Sequence, residues 1–327
     1  HLYCIMRQIS IAAGCMFVAA GQVDIRYAGV KINGMSNNPE EKVTNMPGKP
    51  LARSEKIGDV NLQYLLYEGQ DPPILLLHAT GFLPMLWHPI ARELSRYRKV
   101  IAPYFCDHRE TDPQKGGLSW MLLAEDLCRL CERLNIEKPL LVGHSMGATV
   151  MTIAEAMHGP RASGMILIEP VFLPQDFYHI QLRVEDHPLA SRSIKRRNTW
   201  RDPAEVKDDF RRKPLFKNWE DEFLDLYIEH GTVSLETGEL ALTCSPEKEA
   251  SLFMGGMGYD PWPMLPKVTC PVLVIEGEES TNRPFVDLKK ATSKFQRGTY
   301  RLIAGAGHLI PMERPKEIIA IILKHLS

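Results

Sequence analysis

The segment Gly143-His144-Ser145-Met146-Gly147 has the residue types and spacing best suited to chemistry in this chain. A serine with a glycine two positions away on each side can occupy a turn too tight for side chains at those flanking sites. The apolar run Pro139-Leu140-Leu141-Val142 precedes it and reads as a strand. Ala148 to Ala156 follows it and reads as a helix. Strand, tight turn and helix together lift a hydroxyl off a sheet edge and aim the free N–H groups of the helix start at one point. The setting predicts a positive φ at Ser145, attack by its Oγ on an electrophilic carbon, and an oxyanion bound by the backbone N–H of Met146. The plainer alternative is a serine that only caps a helix.

A serine hydroxyl is a poor nucleophile until a base takes its proton. Of the 11 histidines, His308 has the right placing. It follows a strand at 300–303 and the flexible run Ala304-Gly305-Ala306-Gly307, and it precedes the last helix. A histidine on such a loop can reach back over the sheet edge. His144 adjoins the serine and is expected to point away from it, and His78 is expected to hold loop structure at the end of a strand.

The elements that must position these residues alternate. Residues 58–67 read as paired strands. Short apolar runs at 74–78, 99–102, 140–142, 165–168, 272–275 and 300–303 read as strands. Helical patterns fall at 86–97, 118–134, 146–158, 285–294 and 315–326. Strands alternating with helices imply parallel pairing and a doubly wound, mostly parallel α/β sheet. The strands are apolar throughout, as strands covered on both faces must be. The alternation stops between Phe172 and Leu265, where helical patterns occur near 203–212 and 218–230.

The order His78-Ala79-Thr80-Gly81-Phe82, then Gly143-His144-Ser145-Met146-Gly147, then Gly307-His308, resembles the α/β-hydrolase superfamily over residues 55–327. The resemblance implies a core of residues 54–172 and 265–327, a helical cap insertion at 173–264, and a leader and linker at 1–53 expected to be poorly ordered. It also implies a triad in the order serine, acid, histidine. Many relatives place the acid after the penultimate strand, where this chain reads Gly277-Glu278-Glu279-Ser280 and so has a serine at the usual position. Some members place it after the preceding strand, where Glu169 follows Leu167-Ile168. A carboxylate at the end of an apolar strand is costly unless paired. Glu169 is therefore the expected partner of His308, with Glu279 and Glu278 as rivals. By the same resemblance Thr80 supplies the second oxyanion N–H, with Gly81 as runner-up and Ala79 in place of the usual glycine. The segment from Pro103 to Pro113 keeps only His108 and Asp112-Pro113 of a run common in the best-known subfamilies.

The net charge of -1, with 44% hydrophobic and 24% charged residues, is that of an ordinary globular enzyme. Nucleic-acid binding needs a concentrated basic surface. The basic run Ser193–Arg197 is short and reads as a solvated face. Seven cysteines are scattered without a disulfide pattern. Cys128 and Cys131 fall on a helical repeat with Leu123, Leu127, Leu130 and Leu134 and read as small buried residues, not a redox or zinc pair. Residues 9–20 are apolar but too short for a membrane-spanning helix. They could be the core of a signal peptide starting at Met6. Met35 opens a polar stretch that looks like an ordinary start, so a cytoplasmic location is expected, with secretion or the periplasm as the alternative.

These features point to hydrolysis of a small-molecule carboxylic ester through an acyl-enzyme, with no metal or organic cofactor, no nucleic-acid partner and no membrane span. A serine nucleophile argues against the haloalkane dehalogenases and epoxide hydrolases of the superfamily, which need aspartate there. A C–C bond hydrolase, a thioesterase and a non-catalytic ligand-binding protein of the same fold are the alternatives. Trp200, Phe210, Trp219, Phe223, Phe253, Met254 and Met257 either line an apolar pocket or pack the insertion onto the core, and packing is the expected role.

Overall fold

The structure is a computed structural model that describes residues 48–326 apart from Asp107 and Pro160. The apolar segment 9–20, Cys4, Cys15 and most of the expected leader lie outside the described residues. The first half of the core comprises β1 (Leu51–Ile57), β2 (Val60–Tyr67), β3 (Ile74–Leu77), α1 (His88–Leu94), β4 (Val100–Pro103), α2 (Trp120–Arg133), β5 (Leu140–His144), α3 (Met146–His158) and β6 (Gly164–Ile168). A segment with α4 (Ala190–Lys195), α5 (Pro203–Arg211), α6 (Asp221–Gly231), β7 (Thr232–Ser234), β8 (Leu240–Leu242) and α7 (Pro246–Gly255) follows. The chain then returns through β9 (Val272–Gly277), α8 (Leu288–Thr292), β10 (Gly298–Ile303), α9 (Ile310–Glu313) and α10 (Pro315–Lys324).

One eight-stranded sheet runs β1-β2-β4-β3-β5-β6-β9-β10. The β1–β2 and β2–β4 pairs are antiparallel and the remaining pairs are parallel. Side chains alternate across the central strands, as the pleat requires. Leu75, Leu77, Leu141, Met165, Leu167 and Val274 pack with α2 and α3 on one face. Ile74, Leu76, Val142, Ile166, Ile168 and Ile275 pack with α1 and α10 on the other. Both layers are apolar, which is why these strands read as continuous hydrophobic runs.

Three features depart from the sequence reading. β1 begins at Leu51, inside the expected linker. It is a polar edge strand whose structure comes from its seven-residue register with β2, not from its own hydrophobicity. The helix expected over 285–294 shortens to Leu288–Thr292. The segment between β6 and β9 contains the small β7–β8 hairpin as well as helices. Cys128, Cys131 and Cys270 are buried free thiols, and burial pushes the Cys128 thiol up to about 11 and that of Cys131 further up. Among the described residues no helix is long and apolar enough to cross a membrane.

Candidate active site

Five described non-glycine residues have positive φ, and the buried ones are Ser145 (φ 54°) and Glu169 (φ 51°). Such backbone is costly for a side-chain-bearing residue and survives only where the surroundings impose it. The two residues end the adjacent strands β5 and β6. At the first turn, a Cβ on Gly143 would lie 2.6 Å from the backbone N of Ala148, and one on Gly147 would lie 2.6 Å from the Leu77 carbonyl oxygen. Glycines at these positions let α3 start directly against the ends of β3 and β5. Ser145 is 7% exposed.

His308 stands between these two residues. Its Nε2 is 3.1 Å from Ser145 Oγ and its Nδ1 is 2.9 Å from Glu169 Oε2. An ionised carboxylate only accepts, so the ring proton belongs on Nδ1 and Nε2 is left as a lone pair toward the hydroxyl. Glu169, 1% exposed, also accepts from the backbone N–H of Gly277 at 2.6 Å and from the Ser280 hydroxyl at 2.7 Å. Three donors compensate the desolvation that an isolated buried carboxylate could not bear. Gly277 has a second task. A Cβ there would fall 2.2 Å from the Gly307 carbonyl oxygen, so only glycine lets the His308 loop cross the end of β9. The Asn282 carboxamide lies 3.0 Å from Nδ1. With the proton on Nδ1, its oxygen is the atom that can face the ring.

The rival carboxylates have other roles. Glu278 is exposed and accepts from the N–H of Gly305 at 3.0 Å. Glu279 is exposed, and its backbone N–H bonds to the Ala306 carbonyl. Both shape the loop that carries His308, and neither has a hydrogen bond to the imidazole.

Two histidines brace the site. His144 Nε2 lies 2.9 Å from the backbone oxygen of His308. A carbonyl only accepts, so His144 donates and anchors the loop that carries His308. His144 has no hydrogen bond to Ser145 Oγ, in keeping with the expectation that it points away from the serine, and its bond to the His308 carbonyl is what the sequence did not suggest. His78 donates from Nδ1 to the Ala79 carbonyl at 2.8 Å and accepts at Nε2 from the Phe105 N–H at 3.0 Å. It staples the loop after β3 to the loop after β4. Burial keeps both neutral, lowering His144 to about 3 and His78 to about 4. Met146 is the first residue of α3, so its N–H has no acceptor within the helix. Thr80 is partly exposed on the loop after β3, and the Leu77 and His78 carbonyls at the end of that strand lie against the helix start at Gly147.

The segment between β6 and β9 leans on this loop. Phe82 packs edge-on to Trp219 and Tyr227, with ring centroids 5.4 and 5.6 Å apart. The Tyr227 hydroxyl donates to the Gly81 carbonyl at 3.3 Å. Trp200, Phe210 and Phe223 are buried in the same cluster with Leu309 and Met312. Met254 and Phe253 pack with Val184 and Ala190 in a separate cluster, and Met257 is half-buried. Arg196 of the basic run pairs with Glu249 at 2.9 Å and donates to the Cys244 carbonyl at 2.7 Å, so this part of the run is a built contact rather than a solvated face. Cys106 and Cys244 are joined by a disulfide across 138 residues, which the scattered spacing did not suggest. His108 pairs with buried Asp126 at 2.9 Å, and Asp112 caps the following turn through Gln114. A hollow of about 550 Å³ lined by Lys207, Asp225, Ile228 and Thr232 contains none of the site residues.

A mostly parallel eight-stranded sheet with a serine on a tight strand-to-helix turn, and a histidine on the loop after the last strand, is the α/β-hydrolase fold. The chain matches the model of the alpha/beta hydrolase family over residues 74–321 and belongs to that family. The abhydrolase domain-containing protein AFT2-1 of Alternaria alternata is 27% identical over 223 residues, covering 57% of this chain and 82% of that protein. Among solved structures, E-2-(acetamidomethylene)succinate hydrolase is similar with a TM-score of 0.72 at 21% identity, covering 85% of this chain and 99% of that one. The thioesterase domain from the curacin biosynthetic pathway is similar with a TM-score of 0.68 at 18% identity, covering 84% and 99%. At these identities the structural likenesses establish the fold.

Proposed function

We propose that the protein hydrolyses carboxylic esters through an acyl-enzyme formed on Ser145. The observation that carries this reading is the imidazole of His308 held by Glu169 on one nitrogen and facing Ser145 Oγ with the other. As Oγ attacks the ester carbonyl, Nε2 takes its proton and Glu169 stabilises the resulting imidazolium. The backbone N–H groups of Met146 and Thr80 hold the oxyanion. The alcohol leaves with the proton from Nε2. Water then attacks the acyl-enzyme, with His308 again as base, and the acid departs.

The segment between β6 and β9 acts as a cap on this reading, since its aromatic residues pack against Phe82 beside the oxyanion loop. An ester or thioester carbonyl would be handled by the same groups. The names of the similar proteins, a succinate-derivative hydrolase and a thioesterase domain, are consistent with acyl chemistry of that breadth.

The test is labelling with a fluorophosphonate, together with turnover of p-nitrophenyl acetate and butyrate, on the wild type and Ser145→Ala. Labelling and turnover that vanish together in the variant support the proposal. A wild type that neither labels nor turns over any acyl chain length, thioester or amide in a screen refutes it.

A further inference from the structure

We infer that Ser280 is a positioning residue that fixes the Glu169 carboxylate for His308. The inference rests on the proposed role of Ser145, His308 and Glu169 and adds a fourth member to that array. Ser280 is 5% exposed. Its Oγ lies 2.7 Å from Glu169 Oε2, the same oxygen that faces His308 Nδ1. The direction of this hydrogen bond is forced. Asn282 N–H, 3.3 Å from Oγ, can only donate to it. The hydroxyl hydrogen must then point at the carboxylate, which can only accept. The result is a relay from Asn282 N–H through Ser280 O–H to Glu169, in which each donor polarises the next.

The relay holds Oε2, the oxygen that faces the imidazole, while Gly277 N–H holds Oε1. The carboxylate is thus held in place before the ring becomes charged. A small residue at 280 also leaves the space that the Glu169 side chain fills. Loss of the hydroxyl would leave Oε2 less stabilised, so the imidazole–carboxylate pair would hold a proton more firmly. Activity would then fail at a higher pH on the acid side.

The experiment compares Ser280→Ala, Ser280→Thr, Glu169→Ala and Glu169→Ala with Ser280→Asp in the full chain. The readouts are kcat, KM, the pH profile of kcat/KM, and the low-field proton resonance of an imidazole N–H bound to a carboxylate, assigned by its loss in His308→Ala. Ser280→Ala should lower kcat about tenfold with KM unchanged, as expected for losing one hydrogen bond to a charged group. It should also move the acid limb up by about half to one pH unit and shift the resonance. Ser280→Thr, which keeps the hydroxyl, should restore all three. An aspartate at 280 reaches about 1.2 Å beyond the Oγ position, toward the place vacated in Glu169→Ala, so the double variant should recover at least about tenfold over Glu169→Ala, a small part of what a triad acid contributes. The inference is overturned if Ser280→Ala leaves the acid limb and the resonance in place, or if the double variant is no better than Glu169→Ala. Labelling of Ser145→Ala as fast as wild type would instead overturn the reading beneath it, and the resonance distinguishes the two failures because it needs no substrate.

Discussion

Glu169→Gln is the substitution that most sharply tests the assignment of the acid. The side chains have the same shape, so packing is preserved, but one carboxylate oxygen becomes a donor NH2. The three hydrogen bonds to Glu169 then cannot all survive. An NH2 at the Oε1 site would face the Gly277 N–H, a backbone donor that cannot turn away. An NH2 at the Oε2 site would face His308 Nδ1–H. The imidazole can escape by moving its proton to Nε2, so the glutamine settles with its oxygen on Gly277 and forces the wrong tautomer. Nε2 then carries a proton toward Ser145 and cannot act as base. The expected loss is about 10³- to 10⁴-fold in kcat, the scale seen when a triad acid is neutralised, or about 4–5.5 kcal/mol of barrier. KM should change little, because a residue 1% exposed does not contact substrate. The assay is p-nitrophenyl butyrate turnover beside Glu279→Gln, which should stay near wild type because Glu279 is exposed. If Glu169→Gln keeps kcat within tenfold of wild type, or if Glu279→Gln drops by orders of magnitude, the acid is not Glu169.

Three further outcomes are expected. Ser145→Gly should be more stable than Ser145→Ala by about 1–3 kcal/mol, read as a higher Tm, because glycine relieves the positive φ that alanine retains; equal Tm values would show that the turn stores no strain. Thr80→Pro should cost about 10²- to 10³-fold in kcat by removing one oxyanion donor, while Thr80→Ala stays mild; equal effects of the two would remove Thr80 from the oxyanion hole. Burial lowers His78 and His187 to about 4 and His144 to about 3, from an ordinary 6.5. Their folded values lie below their unfolded ones, so the stability they contribute is complete above pH 6.5 and is lost as pH falls toward 3. Each takes up a proton on unfolding in that window, giving a slope of at most about 4 kcal/mol per pH unit for the three. Denaturant titrations at pH 7 and 5 check this, and His187→Asn should flatten the dependence.

Much of the site is legible in the sequence because glycines mark where backbone must crowd. Gly143 and Gly147 frame Ser145, and Gly305 and Gly307 precede His308. The candidate acid is picked out by elimination, since Ser280 stands where a carboxylate is usual and Glu169 ends an apolar strand, and the structure places Glu169 Oε2 2.9 Å from His308 Nδ1. The hydrogen bond from Ser280 to Glu169 is not legible, because a hydroxyl donating to a carboxylate 111 residues away leaves no local pattern. What His144 bonds to is hidden for a related reason. Its partner is a backbone carbonyl 164 residues on, and backbone atoms carry no sequence signal. The Cys106–Cys244 pair shows the same limit, since separation along the chain says nothing of distance in the fold. The sheet core is legible from its apolar runs. β1 is not, because an edge strand with exposed charges takes its conformation from its neighbour.

The length of residue 169 follows from where the carboxylate must arrive. Ser145 and Glu169 leave adjacent strands, but His308 comes from beyond β10 and passes over the end of β9 at Gly277. A carboxylate from β6 has to reach sideways to that crossing, and its bond to Gly277 N–H shows that it does. Shortening it by one methylene withdraws the oxygens by about 1.5 Å. From 2.9 Å, Nδ1 would then be beyond hydrogen-bond range unless the loop followed. The loop cannot follow freely, because Gly307 N–H is held by Glu313 at 2.6 Å and the His308 carbonyl by His144. Glu169→Asp, although it keeps the charge, should therefore lose at least about 10²-fold in kcat, short of the full loss of a triad acid. A fully active Glu169→Asp would mean that charge alone suffices and that the reach from β6 is not what selects glutamate.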